Sequence, residues 1–329
     1  MLHVMNGDAM RPIFEGAGLP GAMTVYADPL HDGPVPGGLS DEELRDVRAR
    51  HLASATESPE AVAQTLRDWD AALESAVERD EIVLWFEHDL FDQVLLMRHL
   101  AWFARRPAGA RLSLICIEVF PGIQPFLGLG QLSPQQLASL FDTRVPITED
   151  HLELGQRAWK AFTFPDPRAL ERVASQDLPL LPFLGRALRR FLEEYPAVGS
   201  GLPRTEREIL RQLAEGARES REVFSAMHQD GEAFLIGDLP FRDRLDSLAE
   251  PPTPLIAIEE AGSDDAARDE ALGVLPRGPI AITDMGRRVL EGAVDWLALR
   301  EFDRWFGGVH VSHDNLWRWN EAAGRIERG

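Results

Sequence analysis

The stretch Ile82-Val83-Leu84-Trp85-Phe86-Glu87-His88-Asp89 decides the fold. Five consecutive apolar residues run directly into three polar ones. A short apolar run without a period reads as a strand buried on both faces, and such strands belong to parallel sheets covered by helices. Three further runs have the same form. Leu2–Met5 ends in Asn6-Gly7-Asp8, residues 23–26 lead into Asp28-Pro29-Leu30-His31-Asp32-Gly33-Pro34, and residues 112–117 end at Glu118. In an open parallel sheet ligands bind outside the carboxyl ends of the strands. Polar residues far apart in sequence are therefore expected to meet at one edge.

Helical patterns separate these runs. Residues 9–16 suit a short helix with Asp8 or a neighbour as cap and Gly16 or Gly18 as stop. Ser40 and Glu43 have capping-box spacing. Residues 59–77 carry Leu66, Trp69 and Leu73 on one stripe, and residues 90–103 turn Val94, Met97, Leu100 and Trp102 inward. After a Pro/Gly-rich loop at 121–130, Ser133 and Pro134 open another helix.

Residues 148–202 read as a helical linker region. Its boundary falls at 196–203, where Gly199-Ser200-Gly201 sits between prolines. A second pattern follows. Residues 205–216 form an amphipathic helix with Thr205 and Glu208 as a capping box, and helices at 220–228 and 238–248 come next. Short strands at 255–258 and 280–283 precede a helix at 285–291. That order is winged-helix-like, with 263–277 as the wing. The expected architecture is a Rossmann-like parallel-sheet α/β domain at 1–147, the linker region, and a mostly helical winged-helix-like domain at 203–329.

Composition removes several chemistries. The formal net charge is −20 over 329 residues, which disfavours nucleic acid and anionic membrane as partners. Residues 203–292 carry 11 Arg against 19 Asp plus Glu, a net of −8, so a DNA-binding regulator ranks last among the functions. Lys160 is the single lysine, and no P-loop exists. Cys116, the single cysteine, lies in an apolar run and reads as an inert thiol. There is no His-Glu-x-x-His, no EF-hand loop and no nucleophile elbow. Gly128-Leu129-Gly130-Gln131 falls short of a dinucleotide fingerprint. Gln131 and Arg144 read as loop packing ahead of substrate contact. With no secretory pattern and no apolar run long enough for a membrane span, the expected location is the cytoplasm.

The polar clusters carry the site expectation. Consecutive Glu, His and Asp after a strand, with Asp92 one helical turn on, supply oxygen and imidazole ligands or a His–carboxylate acid/base pair. His88, His31 and Glu87 are the expected catalytic residues. Asn6, Gly7, Asp8, Asp28, Asp32 and Gln93 are expected to bind ligand, and Asp8 and Asp89 to hold a metal, Mg²⁺ or Mn²⁺. The plainer alternatives are that Asp8 and Asp89 cap helices and that 28–36 is a surface turn.

These motifs have a family likeness. Asn6-Gly7-Asp8, the run from Asp28 to Val35, the stretch from Leu84 to Gln93, and Gly128-Leu129-Gly130-Gln131-Leu132 resemble the bacterial domain-of-unknown-function family 1835 over roughly residues 1–140. The later motifs Leu202-Pro203-Arg204-Thr205-Glu206, Asp303-Arg304-Trp305 and Trp317-Arg318-Trp319 look like its usual companion domain. The resemblance implies no activity. The expectation from the residues is an enzyme, a hydrolase or group transferase acting on a small phosphorylated or nucleotide-like ligand. The alternative is a non-catalytic ligand sensor or adaptor, with a protein partner or a homodimer formed through the C-terminal domain.

Overall fold

The computed structural model describes residues 1–54, 57–106, 109–216, 219–229, 237–259 and 279–329. The chain divides into two compact units. The first contains Met1–Arg189 and Arg304–His310, the second Arg190–Asp303 and Val311–Gly329.

In the first unit, β1 (Leu2–Met5), β2 (Ala22–Val25), β4 (Glu81–Glu87) and β5 (Arg111–Ile117) run parallel, and β6 (Val145–Pro146) closes the sheet antiparallel to β5. The order is β2-β1-β4-β5-β6. This is the mixed α/β, mostly parallel sheet flanked by helices that the apolar runs predict. The connection out of β1 leads to β2 on one side, and the chain later returns to place β4 on the other. The topological switch point is therefore between β1 and β4.

Alternation along the strands sorts the core into two layers. Met5, Val83, Trp85 and Ile115 pack with α1 (Met10–Ala17), α5 (Pro134–Leu140) and Leu129. On the other face, α4 (Leu90–Ala104) is buried from Asp92 to Phe103. A helix buried all round is a core helix. It packs on α6 (Glu149–Phe162), and Gly155 makes the approach possible, since a Cβ there would lie 2.2 Å from Leu100 Cβ. Residues 149–162 are thus part of the first unit's core, not linker. α2 (Asp41–Leu52) carries the Ser40/Glu43 capping box, and α3 (Pro59–Ala76) packs against α2. The short β3 (Gly33–Pro34) pairs in parallel with β9 (Arg304–Gly307), which is drawn from the far end of the chain. α7 (Arg168–Ala174) and the start of α8 (Leu184–Leu192) complete this unit.

The second unit has α9 (Arg204–Glu215), α10 (Ser220–Gln229), α11 (Asp238–Ala249), an antiparallel pair of β7 (Ile256–Ile258) and β8 (Ile280–Ile282), and α12 (Asp284–Leu290). The element order matches expectation, while the wing at 263–277 lies outside the described residues. Leu210, Val223, Phe241, Leu245, Ile256 and Val289 fill its core. β10 (Val309–Val311), which begins in the first unit, pairs there with β9; in the second unit β11 (Trp317–Asn320) pairs with β12 (Arg325–Arg328), and Trp317 and Trp319 are buried.

Two local expectations differ. The Thr205/Glu208 box does not form. α9 starts one residue earlier, so Thr205 lies inside the first turn and its hydroxyl donates to Glu194 Oε1 at 2.6 Å. The Pro/Gly segment 196–203 is not a boundary either. Ala197 bridges Trp319, Ser200 O accepts from Trp296 N, and Leu202 is fully buried.

Candidate functional site

β4 ends at Glu87, and the chain turns at once into α4 with Asp89 as N-cap, its carboxylate accepting from Asp92 N at 2.9 Å. This tight strand-to-helix turn is what the sequence Glu-His-Asp-x-x-Asp encodes. It folds Glu87, Asp89 and Asp92 toward one point, with ligand oxygens within 4.8 Å of one another. Asn6, at the end of neighbouring β1, completes the cluster. Its Nδ2 donates to Asp92 Oδ1 at 2.9 Å and Oδ2 at 3.1 Å, and to Glu87 Oε1 at 3.4 Å. The cluster thus stands at the switch point between β1 and β4.

The loop after β5 covers it. Leu129 N donates to Glu87 Oε1 at 2.6 Å. Gly128 is required here. A Cβ would lie 2.5 Å from Glu87 Oε2, and its φ of +151° is unfavourable for other residues. Gln131 holds the loop by accepting from Leu127 N and donating to Pro125 O. Arg144 lies away from the cluster, pairing with Glu81 at the opposite end of β4.

All three carboxyl groups are buried, and Asp92 is 0 % exposed. Among the described residues none of the three has a cationic partner. Burial first, then the charge of Asp89, pushes Glu87 up to about 8 against the pull of Leu129 N–H and Asn6. Burial raises Asp89 to about 6, against donation from the Asp92 and Phe91 N–H groups. Asp92 is held well above the usual range by burial, then by Asp89 and Glu87. Buried like charges at this spacing resist joint ionisation. The cluster is stable with protons or with a cation between the carboxylates.

The other expected site residues separate into groups. Gln93 sits beneath the cluster, its Nε2 donating to Glu87 O at 2.6 Å and to Cys116 Sγ at 3.3 Å. The Cys116 thiol is pushed up to about 12 by burial, which fits an inert role. Gly7 is half-exposed, with open space where a Cβ would point. His31 packs edge-on against Phe91 in the first turn of α4, ring centroids 5.8 Å apart. His88 leaves the cluster, as alternation along a strand dictates. Its ring faces Phe183 at 6.3 Å, and burial, then Arg186, lowers its pKa.

Three expected residues are engaged elsewhere. Asp8 is exposed and pairs with Arg11 at 2.9 Å. It neither caps α1, whose N-cap is Ala9, nor joins Asp89. The turn at Gly7 directs it to solvent. Asp28 is buried in a salt bridge with Arg48 at 2.7 Å, and the same guanidinium reaches Asp32 O at 2.6 Å and Pro29 O at 3.1 Å. Asp28 therefore pins the 28–34 turn. Asp32 pairs with His51 at 3.3 Å. The sequence flags Asp92 only as a neighbour one turn on, yet Asp92, not Asp8, is the third carboxylate. The spacing Asp89-x-x-Asp92 was the available signal.

The oxygen donors suit a hard divalent cation such as Mg²⁺ or Mn²⁺, and Glu87, Asp89 and Asp92 would hold it. Neither the protein-family models nor the curated proteins contain a match to this chain. Among the described residues no helix is long and apolar enough to cross a membrane.

Proposed function

We propose that the chain is a divalent-cation-dependent enzyme, a hydrolase or group transferase acting on a small phosphorylated or nucleotide-like ligand at the β1–β4 crevice. One observation carries this reading: three buried carboxylates, without a cationic partner among the described residues, meet at the switch point of a parallel sheet. A cation held there supplies Lewis-acid stabilisation of a phosphoryl oxygen. The chain's own part is to orient. Asn6 and Leu129 N–H fix Glu87, Asp92 N–H fixes Asp89, and the open backbone at Gly7 admits a ligand beside β1. His31, beside Phe91, serves as proton donor or acceptor in this scheme. Membership of family 1835 is proposed on the motifs and adds no reaction.

The second reading, a non-catalytic sensor, is supported by His88, which faces Phe183 rather than the carboxylates. Calorimetric titration of metal-free protein with Mn²⁺ at pH 8 tests the metal site. Near-stoichiometric binding is expected in the wild type, lost in Glu87→Gln and unchanged in Asp8→Asn. A wild type that takes up no Mn²⁺ overturns the proposal. Turnover of a phosphoester panel by the Mn²⁺-loaded protein then separates enzyme from sensor.

A further inference from the structure

One cavity of the first unit shares no residue with the carboxylate cluster. It measures about 30 Å³ and lies among residues of α2, α3, α4 and α6 beyond the end of β2. Its wall carries Arg45, Arg48, Arg98 and Arg105 against Asp28, Asp41 and Asp70. In a chain of net charge −20 that local excess of cations is unexpected.

The carboxylates do not neutralise it. Asp28 is matched by Arg48 alone. Asp70 is shared by Arg45 at 2.8 Å and Arg98 at 2.6 Å, and also accepts from Tyr26 Oη at 3.2 Å. Asp41 is shared by Arg105 at 3.1 Å and Arg106 at 2.9 Å. Arg106 lies outside the wall and also reaches Glu74 at 3.9 Å, so on the wall itself four guanidinium groups face three aspartates, an excess of one cation. Arg98 lies over the Tyr26 ring at 4.2 Å, which favours the cation but offers no acceptor in the plane of its N–H groups. Its Nη1 is buried and makes no hydrogen bond among the described residues. A buried charged donor without an acceptor is costly.

The cavity has a floor and a mouth. The side chains of Arg48, Asp70 and Arg98 are buried, whereas those of Arg45, Asp41 and Arg105 are 22 %, 31 % and 50 % exposed. An anion can therefore enter past the partly exposed pairs and reach the buried guanidinium. The space exceeds the roughly 10–15 Å³ that one water needs. Guanidinium forks match the oxygens of a tetrahedral oxyanion better than a monatomic anion.

We propose that this cavity is an anion site that binds one phosphate group, with Arg98 and Arg45 as its principal donors. The test is isothermal titration with inorganic phosphate at fixed ionic strength, with potassium chloride as balance. Wild type is expected to bind, with affinity lowered about tenfold or more in Arg45→Gln and lost in Arg98→Met. With the titrations run on metal-free protein, where the carboxylate cluster has no cation to hold phosphate, Glu87→Gln is expected to bind phosphate like wild type, which separates this site from the cluster. Should Arg98→Met fail to fold, Arg45→Gln still decides, because its side chain lies at the mouth. No phosphate binding in wild type, or binding undiminished in Arg45→Gln, overturns the proposal and leaves a hydrated cavity. A parallel titration with glycerol phosphate separates the sources: equal affinity marks the head of a larger ligand, and binding of inorganic phosphate alone marks the free ion.

Discussion

Glu87 and Asp92 share one side-chain amide donor, Asn6 Nδ2, and among the described residues neither is offset by a cation. Metal-free protein therefore keeps extra protons when folded. Glu87 rises from 4.5 to about 8 and Asp89 from 3.8 to about 6. Between those values the native state binds more protons than the unfolded chain, so stability falls as pH rises. The contribution is full below the unfolded values and is lost as pH passes about 8. The unfolding free energy of metal-free protein is expected to drop between pH 5 and pH 8 by an amount on the order of a few kcal/mol, read as a lower urea midpoint. Asp92→Asn removes one repelling charge and should flatten that slope. Mn²⁺ should restore the midpoint most at pH 8, because the cation and the protons compete. A midpoint that climbs from pH 5 to pH 8 in metal-free protein would contradict the assignment.

At this scale the sequence was partly legible. The apolar run before Glu87 announces a strand end, so Glu87, Asp89 and the adjacent Gln93 could be placed near a site. Asp8 could not be excluded, because one glycine decides whether the next side chain points inward or to solvent. The arginine cavity left no mark in sequence. Arg45, Arg48, Asp70 and Arg98 are brought together only by the packing of three helices.

Among elements, the covering loop is the one on which the carboxylate cluster depends. Gly128→Ala would drive a Cβ against Glu87 Oε2 in an unfavourable backbone region. It is expected to cost about 1–3 kcal/mol by urea unfolding and to weaken Mn²⁺ binding. Gly130→Ala, with nothing within 4 Å of its Cβ position, should do neither. Caps show what local sequence can and cannot specify. Ser40/Glu43 and Ser133 with Pro134 form as their spacing predicts, since among the described residues no other partner competes for those side chains. Thr205 has the same local pattern but a half-buried acceptor, Glu194, takes its hydroxyl.

At the level of the whole molecule, the parallel sheet followed the apolar runs, but the division of the chain did not. A composition shift marks where a pattern changes, and it cannot reveal that residues 304–310 return to the first unit. Val35 N donates to Gly307 O at 2.7 Å, and Gly308 N donates to Phe162 O at 3.0 Å. A chain ending at Asp303 is expected to lose amide hydrogen-exchange protection at Val35, with β1 and β4 still protected. Unchanged protection at Val35 would show that β9 adds nothing to the first unit.

That return strand also sets a schedule for synthesis. A nascent chain that has just emitted Arg189 lacks the partner of β3, and roughly 115 more residues must leave the ribosome before Arg304 appears. At about 5–20 residues per second the delay is on the order of ten seconds. Over that interval the 28–34 turn must wait with its edge unpaired, and Arg48 on Asp28, with His51 on Asp32, is within reach to hold it in shape until β9 arrives.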